Sequence, residues 1–371
     1  MKYIFFLIVL AILVGMIGYV MLRGWQVLPS KTQIRVIYSV VYVTLFAVML
    51  SGIFLEHVLS PGLSKTITFV GYTFFMAVIY MLMSFLIVDL IRISNSIIHF
   101  APQGMITFRS VIAGISLGLT IIFMIIGNYK FNHPVITELD ISIEEPSQNK
   151  VVNIVAASDI HLGSSIDKKR LRKYVDLINA QNPDIILLAG DITDRSISRV
   201  MEQNMKEELQ ALRAPLGVYA ISGNHEFYSG KPHEIEGYLK ASGINVLFDN
   251  VSLVDSSFYI VGRDDRTNRR RKPLSELVSG LDKKYPMILM DHQPYHLEDA
   301  QKNDIDLQIS GHTHNGQFFP GNLIVANLFE KGYGYLKKGK THYYISSGLG
   351  IWGPQYRIGT KSEIVKIRLR Y

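Results

Sequence analysis

Five short strings in the second half of this 371-residue chain bring together side chains able to hold a metal ion. "SDIH" supplies Asp159 and His161, "AGD" supplies Asp191, and "GNHE" supplies Asn224, His225 and Glu226. "DHQP" adds His292, and "GHTH" adds His312 and His314. Carboxylate, amide and imidazole donors without sulfur suit divalent ions such as Mn, Fe or Zn better than a soft ion. The chain has no cysteine, which removes thiolate sites and disulfides. Seven donors, Asp159, His161, Asp191, Asn224, His292, His312 and His314, exceed the needs of one tetrahedral ion. They suit two ions roughly 3.5–4 Å apart that share a bridging carboxylate. Two divalent metal ions so placed hold a hydroxide and clamp two phosphoryl oxygens, so a phosphate ester is the matching substrate.

Each string alone has a plain structural alternative. Asp159 can cap a turn, Gly190–Asp191 can be an ordinary turn, and "GNH" is a common loop because Gly and Asn tolerate left-handed backbone. An isolated H-x-H can simply face water. The weight lies in their joint occurrence, each just after a short apolar run: "VVNIVAAS", "DIILLAG", "GVYAIS", "PMILM" and "DLQIS". The carboxyl ends of such strands are where open α/β sheets collect ligands. Between them lie polar loops and segments of helical period, "KKRLRKYVDLINA" and "MKEELQALRA". This alternation predicts an α/β domain with parallel strands. A β-rich lead-in, "VITELDISIEE", comes before, and "FYIVG", "HYYIS" and "EIVKIRL" lack helices between all of them, so mixed β-sheets flanked by helices are expected.

The ordered set "DIH", "GD", "GNHE", "DHQP" and "GHTH" resembles the calcineurin-like metallophosphoesterase superfamily from about Asn153 to the end of the chain. "SGHTHNGQFFPGNLI" and "SSGLGIWGPQYRIGTKSEIVKI" are similar to its membrane-associated branch, which includes transmembrane proteins with a metallophosphoesterase domain. The resemblance implies that Asp159, His161 and His314 bind one ion, that Asn224, His292 and His312 bind the other, and that Asp191 bridges them. It implies that His225 donates a proton to the leaving alcohol, a type of catalysis typically worth about 10²–10⁴-fold. Glu226 would accept from the His225 ring and fix its tautomer; alternatively it is an exposed acid in the first turn of a helix. Where many relatives carry glycine after "GHTH", this chain has Asn315.

Weaker polar features remain. Arg357 is either a phosphate contact, since a guanidinium binds phosphate oxygens in pairs, or part of a structural salt bridge. "RTNRRRK" (Arg266 to Lys272) is a solvated basic loop or a contact for anionic groups. His296, four residues beyond His292, is either a donor supporting the site or, as favoured here, part of the exposed face of a following helix.

The first third of the chain has a different character. The stretches 3–22, 34–55, 67–91 and 106–127 are each near the roughly 20 apolar residues that cross a bilayer. They predict a four-helix transmembrane region over 1–130, followed by the metallophosphoesterase domain over 131–371. A cleaved signal peptide is the competing reading of the first stretch, but its apolar run is too long and lacks a small-residue cleavage site before Arg23. No ionisable residue falls mid-span, which speaks against a proton or ion pathway. Gly114 and Gly118 form a G-x-x-x-G pair, read as chance recurrence in a glycine-tolerant span in preference to a specific dimer face.

The formal charge of +7 divides unevenly. Residues 1–130 carry eight Lys/Arg against two acids, Glu56 and Asp89; the remainder carries 30 basic and 29 acidic residues. The excess therefore flanks the membrane spans, and the second part lacks the basic footprint of a nucleic-acid binder, so none is expected as a partner. Arg23, Lys31, Arg35, Arg92 and Arg109 lie on one side of the spans and Lys2, Lys65 and Lys130 on the other. The positive-inside rule then puts the catalytic part outside the cytoplasm. The function expected is a membrane-anchored, two-metal phosphoesterase acting by metal-bound hydroxide on a lipid-linked or envelope phosphate ester. The alternatives are a phosphodiesterase or phosphomonoesterase on soluble nucleotides, or a catalytically silent metal-binding scaffold in the membrane.

Overall fold

The computed structural model describes residues 2–55, 58–99, 106–143, 150–194 and 196–371. Glu56 and the Glu144–Glu145 end of the lead-in lie outside them. The chain forms two compact units, one of Met1–Gly127 with Gly353–Gln355 and one of Asn128–Trp352 with Tyr356–Tyr371.

In the first unit the apolar stretches are helices α1 (Lys2–Val27), α2 (Thr32–Phe54), α3 (Pro61–Ile98) and α4 (Ile106–Asn132). All four are long and apolar enough to cross a membrane. Helix α3 is longer than expected: its 38 residues rise about 57 Å at 1.5 Å each. Pro61 at its first turn presets φ where no intrahelical N–H is needed. Gly71 lets α3 approach the backbone of Met49 on α2, where a Cβ would lie 2.7 Å from the Met49 Cα. Side chains from α1, α2 and α3, among them Ile17, Tyr42, Met49 and Phe74, form the bundle's own core.

Among its described residues the second unit has twelve strands, numbered along the chain. They are β1 (Val135–Ser142), β2 (Val151–Ala157), β3 (Ile185–Ala189), β4 (Val218–Ile221), β5 (Asn245–Val246) and β6 (Asn250–Val254). The rest are β7 (Phe258–Gly262), β8 (Met287–Met290), β9 (Leu307–Ser310), β10 (Gly334–Lys338), β11 (Thr341–Ile345) and β12 (Glu363–Arg370). They form two six-stranded sheets, in the orders β1-β12-β2-β3-β4-β5 and β10-β11-β9-β8-β7-β6. Both are mixed: β2, β3, β4 and β5 pair in parallel, as do β7, β8, β9 and β11, while β12 is antiparallel to β2 and β6 to β7.

Side-chain alternation along each strand decides the layering. Ile154, Ala156, Ile185 and Leu187 face Ile260, Ile288, Met290 and Ile309 across the inter-sheet core. The intervening Val155, Ala157, Ile186 and Leu188 pack outward onto Leu171, Tyr174, Val175 and Ile178 of helix α5 (Lys168–Asn179). Leu289 and Val261 likewise cover Leu274, Leu277 and Leu297 on the far side of the second sheet. The central strands are therefore buried on both faces, which is why they read as continuous apolar runs. "MKEELQALRA" forms only the short helix Lys206–Gln210. The helix ends at its C-cap Ala211, and Pro215 then keeps Ala214 out of helical backbone as the chain runs on to β4.

Candidate metal centre

The site lies at the carboxyl ends of five strands drawn from both sheets. Asp159 and His161 follow β2, Asp191 follows β3 and Asn224 follows β4; His292 follows β8, and His312 and His314 follow β9. Five of these seven residues leave their strand in left-handed backbone: φ is 53° at Asp159, 55° at His161, 50° at Asp191, 72° at His312 and 49° at His314. Such conformations cost non-glycine residues roughly 1–3 kcal/mol each and persist only where the surroundings over-determine them. Here the loops are laced together. The N–H groups of Asp159 and His161 donate to the carbonyls of Gly190 and Asp191, and that of Gly311 to His292. Asn315 is left-handed too, at φ 49°. Asparagine enters that region more readily than most non-glycine residues.

Two glycines are required by close approach. A Cβ on Gly223 would lie 2.1 Å from Asp191 Oδ1, and one on Gly311 would lie 2.3 Å from Asp159 Oδ2. The space beside each glycine is filled by a carboxylate delivered from a neighbouring strand.

The donors converge in two sets. His161 Nε2 lies 3.0 Å from His314 Nε2, and His314 Nε2 lies 3.4 Å from Asp159 Oδ1. In the other set His292 Nε2 lies 3.1 Å from Asp191 Oδ2, and His312 Nδ1 lies 2.7 Å from Asn224 Oδ1. Asp159, His161 and His314 form one group that could hold an ion, and Asp191, His292 and His312 form another. Donors around a tetrahedral ion with 2.1 Å bonds stand about 3.4 Å apart, so these separations fit divalent-ion coordination.

Protonation supports the same chemistry. Burial pushes His161, His312 and His314 below the ordinary imidazole range, favouring the neutral form that ligates. His292 is the exception: burial opposes its charge, but the adjacent Asp191 overrides that and raises it well above the usual range. The same pairing holds Asp191 low despite the opposing effect of burial. A cation would take the place of the proton between them. The His292 ring is oriented from behind, its Nδ1 2.8 Å from the carbonyl of Ala189, so that Nε2 is presented to Asp191.

His225 is the second residue of the helix Asn224–Tyr228, and its backbone N–H donates to Asp191 Oδ1 at 2.9 Å. Its ring is held by a residue that the sequence reading missed: Nδ1 lies 2.9 Å from Asp194 Oδ1. Burial lowers the His225 pKa, but the Asp194 hydrogen bond and the Asp191 charge outweigh it, and the net shift is upward. The available signal was the second acid of "GDITD", three residues beyond Asp191.

The role expected of Glu226 is corrected by this geometry. It is neither an exposed acid nor the acceptor for His225. It is buried and accepts from the N–H groups of Gly223 at 2.7 Å, Asp191 at 3.1 Å and Thr193 at 2.8 Å, tying the β3 loop to the β4 loop. Burial and the nearby Asp191 charge push its pKa up to about 7.

Arg357 is fully buried, and neither a phosphate contact nor a salt bridge describes it. Its Nη1 donates to the carbonyl of His314 at 3.0 Å and its Nη2 to those of Gly348 and Gly350 at 3.1 and 2.5 Å. It therefore clamps the His314 loop to the segment before β12. Burial lowers its pKa to about 10, which leaves it charged at neutral pH.

The basic run divides by position. Arg271 donates to Asp291 at 3.2 Å beside Arg263, while Arg266 lies 4.2 Å over the ring of Tyr295. Tyr295 packs on Phe329, and Phe329 on His312. Arg266 thus stands beyond the His312 side of the site, and Arg269 and Arg270 are exposed. His296 is exposed at the start of its helix, 3.5 Å from Glu298, as expected.

The two mixed sheets gather oxygen and imidazole donors at their strand ends, in groups able to hold divalent ions. Residues 152–316 match the model of the calcineurin-like phosphoesterase family. The chain is 30% identical over 355 residues to a Caenorhabditis elegans protein that carries the name metallophosphoesterase, covering 87% of this chain and 73% of that one. It is 32% identical over 257 residues to the transmembrane protein with metallophosphoesterase domain of Danio rerio, covering 64% of this chain and 57% of that protein. An uncharacterized metallophosphoesterase of Aquifex aeolicus is 30% identical over 238 residues, covering 62% of this chain and 89% of its own length. The chain belongs to the calcineurin-like phosphoesterase family and is a membrane protein with a metallophosphoesterase domain. It spans little more than half the length of the Danio rerio relative.

Proposed function

We propose that residues 131–371 are a two-metal phosphoesterase domain that residues 1–130 anchor to the membrane. Asp159, His161 and His314 hold one divalent ion, Asn224, His292 and His312 the other, and Asp191 both. The observation that carries this reading is the position of one atom: Asp191 Oδ2 lies 3.8 Å from His161 Nε2 and 3.1 Å from His292 Nε2. An oxygen so placed belongs to both donor sets. When bound, two such ions activate water and neutralise charge on the transferring phosphoryl group.

The chain's own groups do the rest. His225, fixed through Nδ1 by Asp194, presents its other nitrogen and gives a proton to the leaving alcohol oxygen. Glu226 and Arg357 hold the loops that carry Asp191 and His314. The substrate we assign is a lipid-linked or envelope phosphate ester, on the ground that four spans confine the site to a bilayer surface. Its side is extracytoplasmic, following the distribution of Lys and Arg around the spans.

The test uses the full-length protein in detergent micelles, with Mn²⁺ titrated against hydrolysis of a chromogenic phosphodiester and metal content measured in parallel. Two ions per chain and Mn²⁺-dependent turnover are expected. Asp191→Ala should lose both ions and His161→Ala one. Full metal loading without turnover would instead identify a scaffold, and one ion in the wild type would refute the bridged pair. Comparing membrane lipids with and without the protein tests the substrate class, and a reporter fused to the C-terminus tests the side.

A further inference from the structure

The membrane unit contains a cavity of about 440 Å³ lined by side chains of all four helices, including Val20, Tyr42, Leu45, Phe74 and Leu117. This is the size of a ligand site rather than a packing flaw, since small-molecule pockets run from roughly 300 to 1,000 Å³. The G-x-x-x-G pair bears on it. A Cβ on Gly114 or Gly118 would meet nothing within 4 Å, so within the unit neither glycine brings a helix close. Gly114 lines the cavity instead. The tight helix contact is made elsewhere, by Gly71 against Met49.

One end of the cavity is charged. Val27, Phe85 and Ala113 line both the cavity and an adjoining recess that contains Arg23, Gln26, Asp89 and Arg92. Asp89 is paired with Arg23 and accepts from the Tyr19 hydroxyl at 2.7 Å, while Arg92 Nη1 stands 3.7 Å away. Two guanidinium groups against one carboxylate leave a surplus positive charge, and both arginines are partly exposed, at 26% and 31%. Trp25, beneath Arg35, lies just beyond on α1, as expected where a span reaches the headgroup layer.

An apolar slot ending in surplus positive charge at headgroup depth is complementary to an anionic amphiphile. Free phosphate would leave the slot unused. A helix from a second copy is about 10 Å across and occupies roughly 420 Å³ per turn, so the cavity admits hardly one turn. We propose that the membrane unit holds one anionic phospholipid, with its phosphate at Arg92 and Arg23 and an acyl chain in the cavity beside Gly114. Basic pockets between membrane helices bind acidic headgroups in this way. The proposal rests on the membrane unit alone and is independent of the phosphoesterase reading.

The experiment reconstitutes the full-length protein in phosphatidylcholine vesicles containing a minor share of phosphatidylglycerol. Native mass spectrometry after gentle extraction then counts the retained lipids. One phosphatidylglycerol per chain, in preference to phosphatidylcholine, is expected. Arg92→Gln leaves the Arg23–Asp89 pair intact and should reduce that preference roughly fivefold, the value of one basic residue toward acidic lipid. Gly114→Phe has room for its side chain and should expel the retained lipid of either class, with helix content and Tm unchanged. Equal retention of the two lipids by the wild type, or unchanged retention in both variants, would mean annular lipid only and overturn the proposal.

Discussion

His225 Nδ1 and Asp194 Oδ1 stand 2.9 Å apart beside the donor cluster, joining the β3 and β4 loops. The contact engages Nδ1, leaves Nε2 as the free ring nitrogen in the proposed acid role, and keeps the ring protonated to higher pH. A group whose pKa is raised this way acts as an acid below that value and is lost above it. Asp194→Asn should therefore move the alkaline limb of the kcat/KM profile to lower pH, because it removes a charged acceptor that favours the protonated ring. Metal content should be unchanged. A limb that stays in place would show that another group controls it.

His225→Ala tests the acid itself. Loss of about 10²–10⁴-fold in kcat with two ions still bound is expected for a general acid. Substrates with better leaving groups, which need no proton, should lose less. Parallel loss of metal and activity would reassign His225 to the metal shell, where its proximity to His161 and Asp191 makes it a candidate.

Gly311→Ala addresses the close approach beside Asp159. The added methyl would fall 2.3 Å from Asp159 Oδ2 and 2.6 Å from Ser158 Cβ, both in the core of the site. Since Asp159 also accepts from the N–H of His312 at 2.9 Å, displacement would disturb both sets. Metal affinity measured by competition with a chelating dye should fall by at least tenfold, the order seen when groups supporting ligands are disturbed.

Arg357→Met removes the clamp on the His314 loop without changing any proposed ligand. Three buried carbonyls would lose a charged donor, at about 1–3 kcal/mol for each group left unpaired. A marked drop in Tm and weaker metal binding are expected, with KM nearly unchanged in fully loaded protein. A large rise in KM at full loading would restore Arg357 as a substrate contact.

The donor types, their order and their placement after apolar runs are legible in the string, because a strand buried on both faces has no room for polar side chains until it ends. The four spans are legible for a related reason, since twenty apolar residues in succession have few other uses. Assignments that depend on direction were not. Glu226 and Asp194 are both acids near His225, yet one turns inward to three backbone N–H groups and the other meets the ring. Nothing in their spacing separates them.

Arg357 shows the same limit, because a guanidinium forty-three residues from His314 can be matched to its carbonyl only when both are seen in space. The extent of α3 beyond its apolar stretch, and the cavity beside Gly114, arise from how helices meet rather than from what each contains. Local composition and period thus determined which residues can ligate and which segments can enter a bilayer. The pairing of two sheets, the left-handed turns at their ends and the contacts across them decided where each side chain points, since those are set by packing between distant segments.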